Sequence, residues 1–253
     1  MVATILSIQA LRKSFGNLHA LDGISLDLME RKVSILIGPN GSGKTTLINV
    51  VSGLYKPDSG KVFFGEKDVT GYPQHKLYRM GMARTFQIPA LFWGLTVLEN
   101  LLVAYEKNPG EEFLKSLLKR FWENPEKQAM QKASRILELL GLSNMWDQPA
   151  YNLSGGQMKL VEIGRALMSE AKLLLLDEPV SGVNPTLAHD IFARILRLRD
   201  QLGLSFLVVE HRLDVALRYV DGIFAMAWGK LIAAGLPEDV MNDRKVIEAY
   251  LGG

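Results

Sequence analysis

Cysteine is missing from all 253 residues. Without a thiol the chain forms no disulfide and offers no thiolate to zinc or to an iron–sulfur cluster, which fits a reducing compartment. Long apolar runs are missing too. A membrane-spanning helix needs about 20 consecutive apolar residues, and "KLLLLD" and "LSFLVVE" fall far short of that. They read instead as buried strands of a parallel sheet, apolar on both faces. The opening "MVATILSIQALRKSF" has no basic leader ahead of an apolar core, so it does not read as a secretory signal. The chain is expected to be soluble by itself. An excess of one charge is also lacking: 29 Lys and Arg against 27 Asp and Glu leave a net +2. That gives no general attraction to a polyanion, so nucleic acid is not an expected partner. There is no internal repeat and no low-complexity segment, and every motif below occurs once.

The composition, 48% hydrophobic and 22% charged, is ordinary globular usage, and the length suits one large α/β domain or a domain with a subdomain. "ILSIQALRKSFGNLHALDGISLDL" reads as antiparallel strands, "KVSILIG" as a buried strand, and "GKVFFGEKDV" as a strand pair turning at Gly65. From Thr96 to Gly141 the pattern becomes helical, through "TVLENLLVAY", "EEFLKSLLKRFW" and "EKQAMQKASRILELLGL". Helix "SGGQMKLVEIGRALMSE" then precedes strand "LLLLD", and helix "TLAHDIFARILRLRDQL" precedes strand "SFLVVE". This is β–α alternation interrupted by a helical block.

"GPNGSGKTT", Gly38 to Thr46, matches G-x-x-x-x-G-K-[ST] between a buried strand and a helix. Gly38, Gly41 and Gly43 let successive backbone N–H groups turn toward one centre, and the helix start adds its partial positive charge. Lys44 offers a charge to the β and γ phosphates, and the Thr45 hydroxyl can ligate Mg2+. A glycine-rich turn with no such role would match by chance in about one chain in a hundred of this length, fewer once the flanking strand and helix are required. Asp177 and Glu178 end the leucine strand, and ligands of open α/β sheets bind beyond the carboxyl ends of strands. Asp177 can hold the Mg2+ shell while Glu178 orients and polarises a water in line with the γ-phosphate. A lone "DE" there would read as a helix cap; beside the phosphate loop it reads as chemistry. No N-K-x-D element follows, which argues against guanine. Phe15, beyond the first strand, could stack on adenine or serve as a core phenylalanine.

"LSGGQ", Leu153 to Gln157, opens a helix upstream of the Asp177 strand. With it, essentially the whole chain resembles the ATP-binding subunit of an ABC transporter. The resemblance implies an α/β P-loop NTPase core with a parallel sheet, an antiparallel β subdomain and a helical signature subdomain. It forms a single domain over 1–253, with the nucleotide-binding core over about 1–95 and 160–253 and the helical subdomain over about 96–159. Phe15 matches the adenine-stacking position, and Gly38, Pro39, Asn40, Gly41, Ser42, Gly43, Lys44, Thr45 and Thr46 the phosphate loop. Gln87 matches the glutamine loop, touching metal and attacking water, and Asp177 and Glu178 match the metal and catalytic carboxylates. His211 matches the switch histidine. Ser154, Gly155, Gly156 and Gln157 match the signature, which the family applies to the γ-phosphate on the opposing subunit. One phosphate loop and one signature per chain then imply two chains head to tail, as a homodimer or with a second ABC ATPase subunit, using ATP and Mg2+.

"GPNGSGKTTLINVVSGLYKPDSG", "ARTFQIPALFWGLTVLENLLVA" and the end "VIEAYLGG" are similar to ATPases of branched-chain amino acid importers. The resemblance implies a peripheral subunit on the cytoplasmic face of the cell membrane that powers solute import. The alternative is an ABC ATPase of a soluble assembly or nucleic-acid machine. Asn184 in "SGVNP" stands where most ABC ATPases carry aspartate, and Arg212 and "AMAWGK" also depart from common wording. Pro89 and Gly94 interrupt any regular element over "RTFQIPALFWGLTVLEN". Ile88, Leu91, Phe92 and Trp93 either line a groove that receives a short helix of an integral membrane permease near Gln87–Trp93, or pack the join between sheet and helical block. The amphipathic "EEFLKSLLKRFW" either touches lipid headgroups or packs on the helical block.

Overall fold

The structure, a computed structural model, describes residues 3–85, 89–105 and 119–251, with 119–123 as backbone only. The chain divides into two compact units, one of Met1–Gln87 with Lys172–Gly253 and one of Ile88–Ala171. No helix among the described residues is long and apolar enough to cross a membrane.

In the first unit, strands β1 (Thr4–Phe15) and β2 (Leu18–Met29) form an antiparallel hairpin. Strand β3 (Val33–Ile37) follows, then helix α1 (Lys44–Val51), strands β4 (Ser59–Phe64) and β5 (Lys67–Asp68), helix α2 (Gln74–Met80) and strand β6 (Met82–Arg84). After the second unit come β7 (Leu173–Asp177), β8 (Ser205–Val209), β9 (Gly222–Ala227) and β10 (Lys230–Gly235). One sheet runs β2-β1-β4-β5, and the other runs β10-β9-β3-β8-β7-β6, parallel except for the β9–β10 pair. Every residue of β3, β7 and β8 is buried, so "VSILI", "LLLLD" and "SFLVV" are apolar runs without alternation, as strands covered on both faces require. Ile8, Leu11, Ile24, Leu36, Leu47 and Leu175 belong to one core that both sheets share. The parallel register pairs Leu36 with Val209 and Asp177 with Val209, which brings the carboxyl ends of three strands together.

The first unit also holds four helices after β7 that continue the chain: α6 (Pro185–Leu202), α7 (Leu213–Ala216), α8 (Pro237–Met241) and α9 (Arg244–Leu251). The second unit is helical, with α3 (Val97–Leu102), α4 (Lys119–Leu139) and α5 (Gly155–Met168). Thr96 starts α3 with a capping box: its hydroxyl accepts the Glu99 N–H at 3.2 Å, and Glu99 accepts the Thr96 N–H at 2.7 Å. Fully buried Asn100 ties the preceding loop to this helix, accepting the Phe92 N–H at 2.9 Å and donating to the carbonyls of Phe92, Leu95 and Thr96. A Cβ at Gly164 would meet side chains of Leu140, Leu101 and Ile136 at 3.0–3.4 Å, so this glycine lets α5 approach its two helical neighbours closely.

The hairpin, the buried strands, the Gly65 turn and the helices around α3, α4, α5 and α6 follow the sequence reading. Strands β6, β9 and β10 and helices α2, α7, α8 and α9 are additions to it. Most of "EEFLKSLLKRFW" lies outside the described residues, and with it the choice between lipid contact and packing.

Candidate functional site

Strand β3 ends at Ile37, and the chain turns through Gly38–Gly43 into α1. Gly43 sits at the helix start with φ +102°, and a Cβ there would lie 2.4 Å from the Ala20 carbonyl oxygen, so only glycine lets the loop pass this close to β2. No side chain caps this helix start, which suits its N–H groups to an anion. Lys44 is only 6% exposed. Its ammonium donates to the carbonyls of Gly38 at 2.8 Å and Pro39 at 2.9 Å and to the Ser42 hydroxyl at 3.3 Å. Burial pulls its pKa below the ordinary 10.5, and the charges of Glu178 and Asp177 pull the other way. A phosphate would supply the negative charge that this buried cation has only at a distance.

The loop opens on a cleft of about 550 Å³, within the usual size of a small-molecule site. Asn40, Gly41, Ser42, Gly43, Lys44, Thr45 and Thr46 line it, together with Glu178 and His211. Phe15, Leu18, His19 and Trp228 line it as well. Phe15 is exposed and so is not a core side chain. Tyr55 meets its ring edge-on at 5.5 Å between centroids, and the Lys13 ammonium lies 5.6 Å from its centroid.

Asp177 ends β7, and Glu178 follows it in left-handed backbone, φ +49°, which is strained for a residue with a long side chain. The Glu178 N–H donates to the Val209 carbonyl at 2.9 Å, so the end of β8 holds this turn. His211 Nε2 lies 3.3 Å from Glu178 Oε1. Directly before His211 stands a residue the sequence reading passed over. Glu210 is 1% exposed, yet its carboxylate takes three backbone N–H bonds: Val180 to Oε1 at 3.0 Å, His211 to Oε2 at 2.9 Å and Arg212 to Oε2 at 3.1 Å. It ties the segment after Glu178 to the segment carrying His211. Arg212 adds a second tie, donating to the Val183 carbonyl at 2.9 Å. Arg84 was also passed over. Its guanidinium forms a largely buried pair with Asp177 Oδ2 at 3.1 Å and donates to Asn49 and Ser52. Both had a signal: Glu210 is a charge directly after the apolar run "FLVV", and Arg84 is the only charge in "MAR".

Thus Phe15, Asn40–Thr46, Glu178 and His211 share one cleft, Gly38 and Pro39 adjoin it through Lys44, and Asp177 directly precedes Glu178 at the end of β7. Gln87 and Ile88 lie outside the described residues. In the second unit Ser154 caps α5: its hydroxyl accepts the Gln157 N–H at 3.4 Å, and its N–H donates to Gln157 Oε1 at 2.8 Å. Gly155 and Gly156 form the first turn behind it. Asn184 caps α6 through the Leu187 N–H at 2.9 Å, a task aspartate also performs, so the amide keeps the helix start without the charge. Of the expected docking residues, Leu91 is buried, which removes it from an open groove. Phe92 and Trp93 are exposed, and Phe92 lies 5.2 Å under the Arg165 guanidinium.

The family described as "ABC transporter" matches residues 21–181, and "Branched-chain amino acid ATP-binding cassette transporter" matches residues 230–253. The chain is 51% identical over 248 residues to the "Probable branched-chain amino acid transport ATP-binding protein LivG" of Archaeoglobus fulgidus, covering 98% of this chain and 95% of the relative. It is 49% identical over 252 residues to the protein of that name in Methanocaldococcus jannaschii, covering 98% and 97%. Among solved structures it is similar to the ADP conformation of MJ1267, an ATP-binding cassette of an ABC transporter. The TM-score there is 0.86 at 48% identity, over 99% of each chain. The chain belongs to the ABC transporter family, as one of its ATP-binding and ATP-hydrolysing cassette subunits.

Proposed function

We propose that this cassette powers the import of branched-chain amino acids, or a related small solute, from the cytoplasmic face of the cell membrane. It does so as one of two ATPase subunits attached to integral membrane permease subunits. The printed names of the relatives support the solute. The observation that carries the chemistry is the Glu178–His211 pair, 3.3 Å apart, in the cleft that also holds Lys44.

Phe15 supports the adenine, and Gly38–Thr46 wrap the phosphates with backbone N–H groups and the Lys44 charge. Glu178 accepts a proton from the water that attacks the γ-phosphorus, and the His211 imidazole holds the transferring phosphoryl group through a hydrogen bond. The strained backbone at Glu178 and the Glu210 carboxylate fix these two side chains before substrate arrives. Thr45 and Asp177 would hold Mg2+. Both offer hard oxygen donors, and no cluster of three or more acidic, histidine or cysteine side chains exists among the described residues. That fits an ion bound by one or two protein oxygens plus phosphates. Bound there, it would neutralise charge on the β and γ phosphates. Ser154 to Gln157 serve the second chain's γ-phosphate, so each complete site needs two copies or a copy and a related subunit.

Phe92 and Trp93 supply the surface for the permease. Trp93 is 54% exposed, and a large aromatic side chain left in solvent is what a partner helix would cover. The test is affinity isolation of the chain and of Trp93→Glu from detergent-solubilised membranes, with a thermal melt of each. The expected result is a membrane-spanning partner with the parent chain, none with the variant, and equal melts. Recovery of the parent with soluble proteins only would overturn the transport reading. An equal yield of the partner with Trp93→Glu would overturn the docking surface.

A further inference from the structure

The turn between β9 and β10 consists of Trp228 and Gly229, both in left-handed backbone at φ +51° and +73°. A two-residue hairpin turn of this kind favours asparagine, aspartate or glycine first. A bulky aromatic residue there is strained. Burial does not offset the strain, because Trp228 is 71% exposed. The fold gains nothing evident from this side chain, and strain kept without a packing return points to function.

What surrounds the turn indicates which function. The Gly229 N–H donates to the Ser42 carbonyl of the phosphate loop at 3.1 Å, and the Gly229 carbonyl accepts the Asp22 N–H of β2 at 2.8 Å. The turn is thereby pinned between the loop that carries Lys44 and the strand whose hairpin carries Phe15. Its indole lines the same cleft as Lys44, Phe15, Leu18 and His19. Phosphates are served by the loop N–H groups and by Lys44, which an indole cannot replace. An indole face is instead matched to a flat π surface.

We propose that Trp228 is a nucleotide-binding residue whose indole forms a second aromatic wall of the cleft, against the base and ribose, with Phe15 the first. This rests on the reading that the cleft takes ATP. It explains a costly backbone conformation, an exposed tryptophan, and the departure at "AMAWGK" with one role. It also sets a signature that a structural side chain would not give: removing the residue should improve folding while it weakens nucleotide binding.

The test is calorimetric titration of ADP and of inorganic tripolyphosphate into the parent, Trp228→Phe, Trp228→Ala, Trp228→Asn and Lys44→Ala, with a thermal melt of each. Trp228→Ala should weaken ADP about tenfold, the scale of one aromatic–base contact, and leave tripolyphosphate within about twofold. Trp228→Phe should recover most of the loss. Trp228→Asn should bind ADP as weakly as the alanine variant yet melt about 2–4 °C higher, because asparagine suits the turn. Lys44→Ala should weaken both ligands. Unchanged ADP affinity in Trp228→Ala would overturn the proposal alone, as would an equal loss of tripolyphosphate, which would mean a distorted loop. A parent that does not bind ADP would overturn the ATP reading and the proposal together.

Discussion

Glutamine in place of Glu210 keeps the volume and exchanges one acceptor oxygen for an NH2 group. The carboxylate now receives Val180 on one oxygen and both His211 and Arg212 on the other. Whichever way the amide is turned, its NH2 faces at least one backbone N–H, donor against donor. In the better orientation the amide oxygen keeps His211 and Arg212, and the Val180 N–H loses its partner. A buried donor left without a partner costs about 1–3 kcal/mol. The two surviving bonds also lose their charge assistance, which makes them roughly half as strong. At a site only 1% exposed, water does not readily replace either loss. The sum is about 2–4 kcal/mol, a sizeable part of the ~5–15 kcal/mol that holds a domain together. The chemical consequence is separate. Val180 is two residues from Glu178, and His211 faces Glu178 at 3.3 Å. Loosening the tie moves these side chains relative to each other, and a misplacement of about 1 Å can lower turnover roughly 100-fold. Lys44 is held by Gly38, Pro39 and Ser42, which the substitution does not touch. Glu210→Gln should therefore lower kcat much more than it weakens ADP binding, and urea unfolding should show a lowered midpoint with an unchanged slope. An unchanged midpoint with unchanged kcat would refute the reasoning, as would losses of affinity and turnover that match.

Lys44 carries a pH dependence whose sign follows from its surroundings. Burial lowers its pKa below 10.5 in the free protein, and bound phosphates, which favour the charged form, raise it again. Binding therefore takes up protons in the window between the two values, and ADP affinity should fall as the pH rises through the lowered pKa, before the ordinary lysine range is reached. Calorimetry across the alkaline range checks this, and a dependence that survives in Lys44→Ala would assign it elsewhere. In a Glu178→Gln background, ATP with Mg2+ should drive two chains together, and adding Ser154→Arg should prevent it by placing bulk at the start of α5. Sedimentation that finds ATP-dependent dimers of the double variant would contradict the head-to-tail site.

Much of this was legible in the sequence because the chemistry is local. The phosphate loop needs its glycines and Lys44 within nine residues, between a strand and a helix, so spacing alone exposes it. The strand that ends in Asp177 and the strand that leads to His211 announce themselves as apolar runs that only a doubly covered sheet would use. The omissions have equally local causes. Strand β6 is three residues long, and β9 and β10 ("GIFAMA", "KLIAAG") are rich in alanine and glycine, which carry little strand preference. Their identity comes from neighbours distant in the chain, as when Ile35 pairs with Ile223. Glu210 and Arg84 each show in the sequence as a charge beside apolar residues, but their partners Val180 and Asp177 lie 30 and 93 residues away in the chain, so the sequence marks the charge and not what it holds. Leu91 looked like its exposed neighbours because an apolar run in a loop does not say which of its members turns inward.

The central claim is that Glu178 is the group that takes the proton from the attacking water, and the rate of ATP hydrolysis by Glu178→Gln with Mg2+ present tests it most directly. An amide can hold that water but cannot accept its proton. Turnover should fall by about 100- to 10,000-fold, the usual range for a general base, while ADP affinity stays at the parental value. Hydrolysis at close to the parental rate would contradict the account.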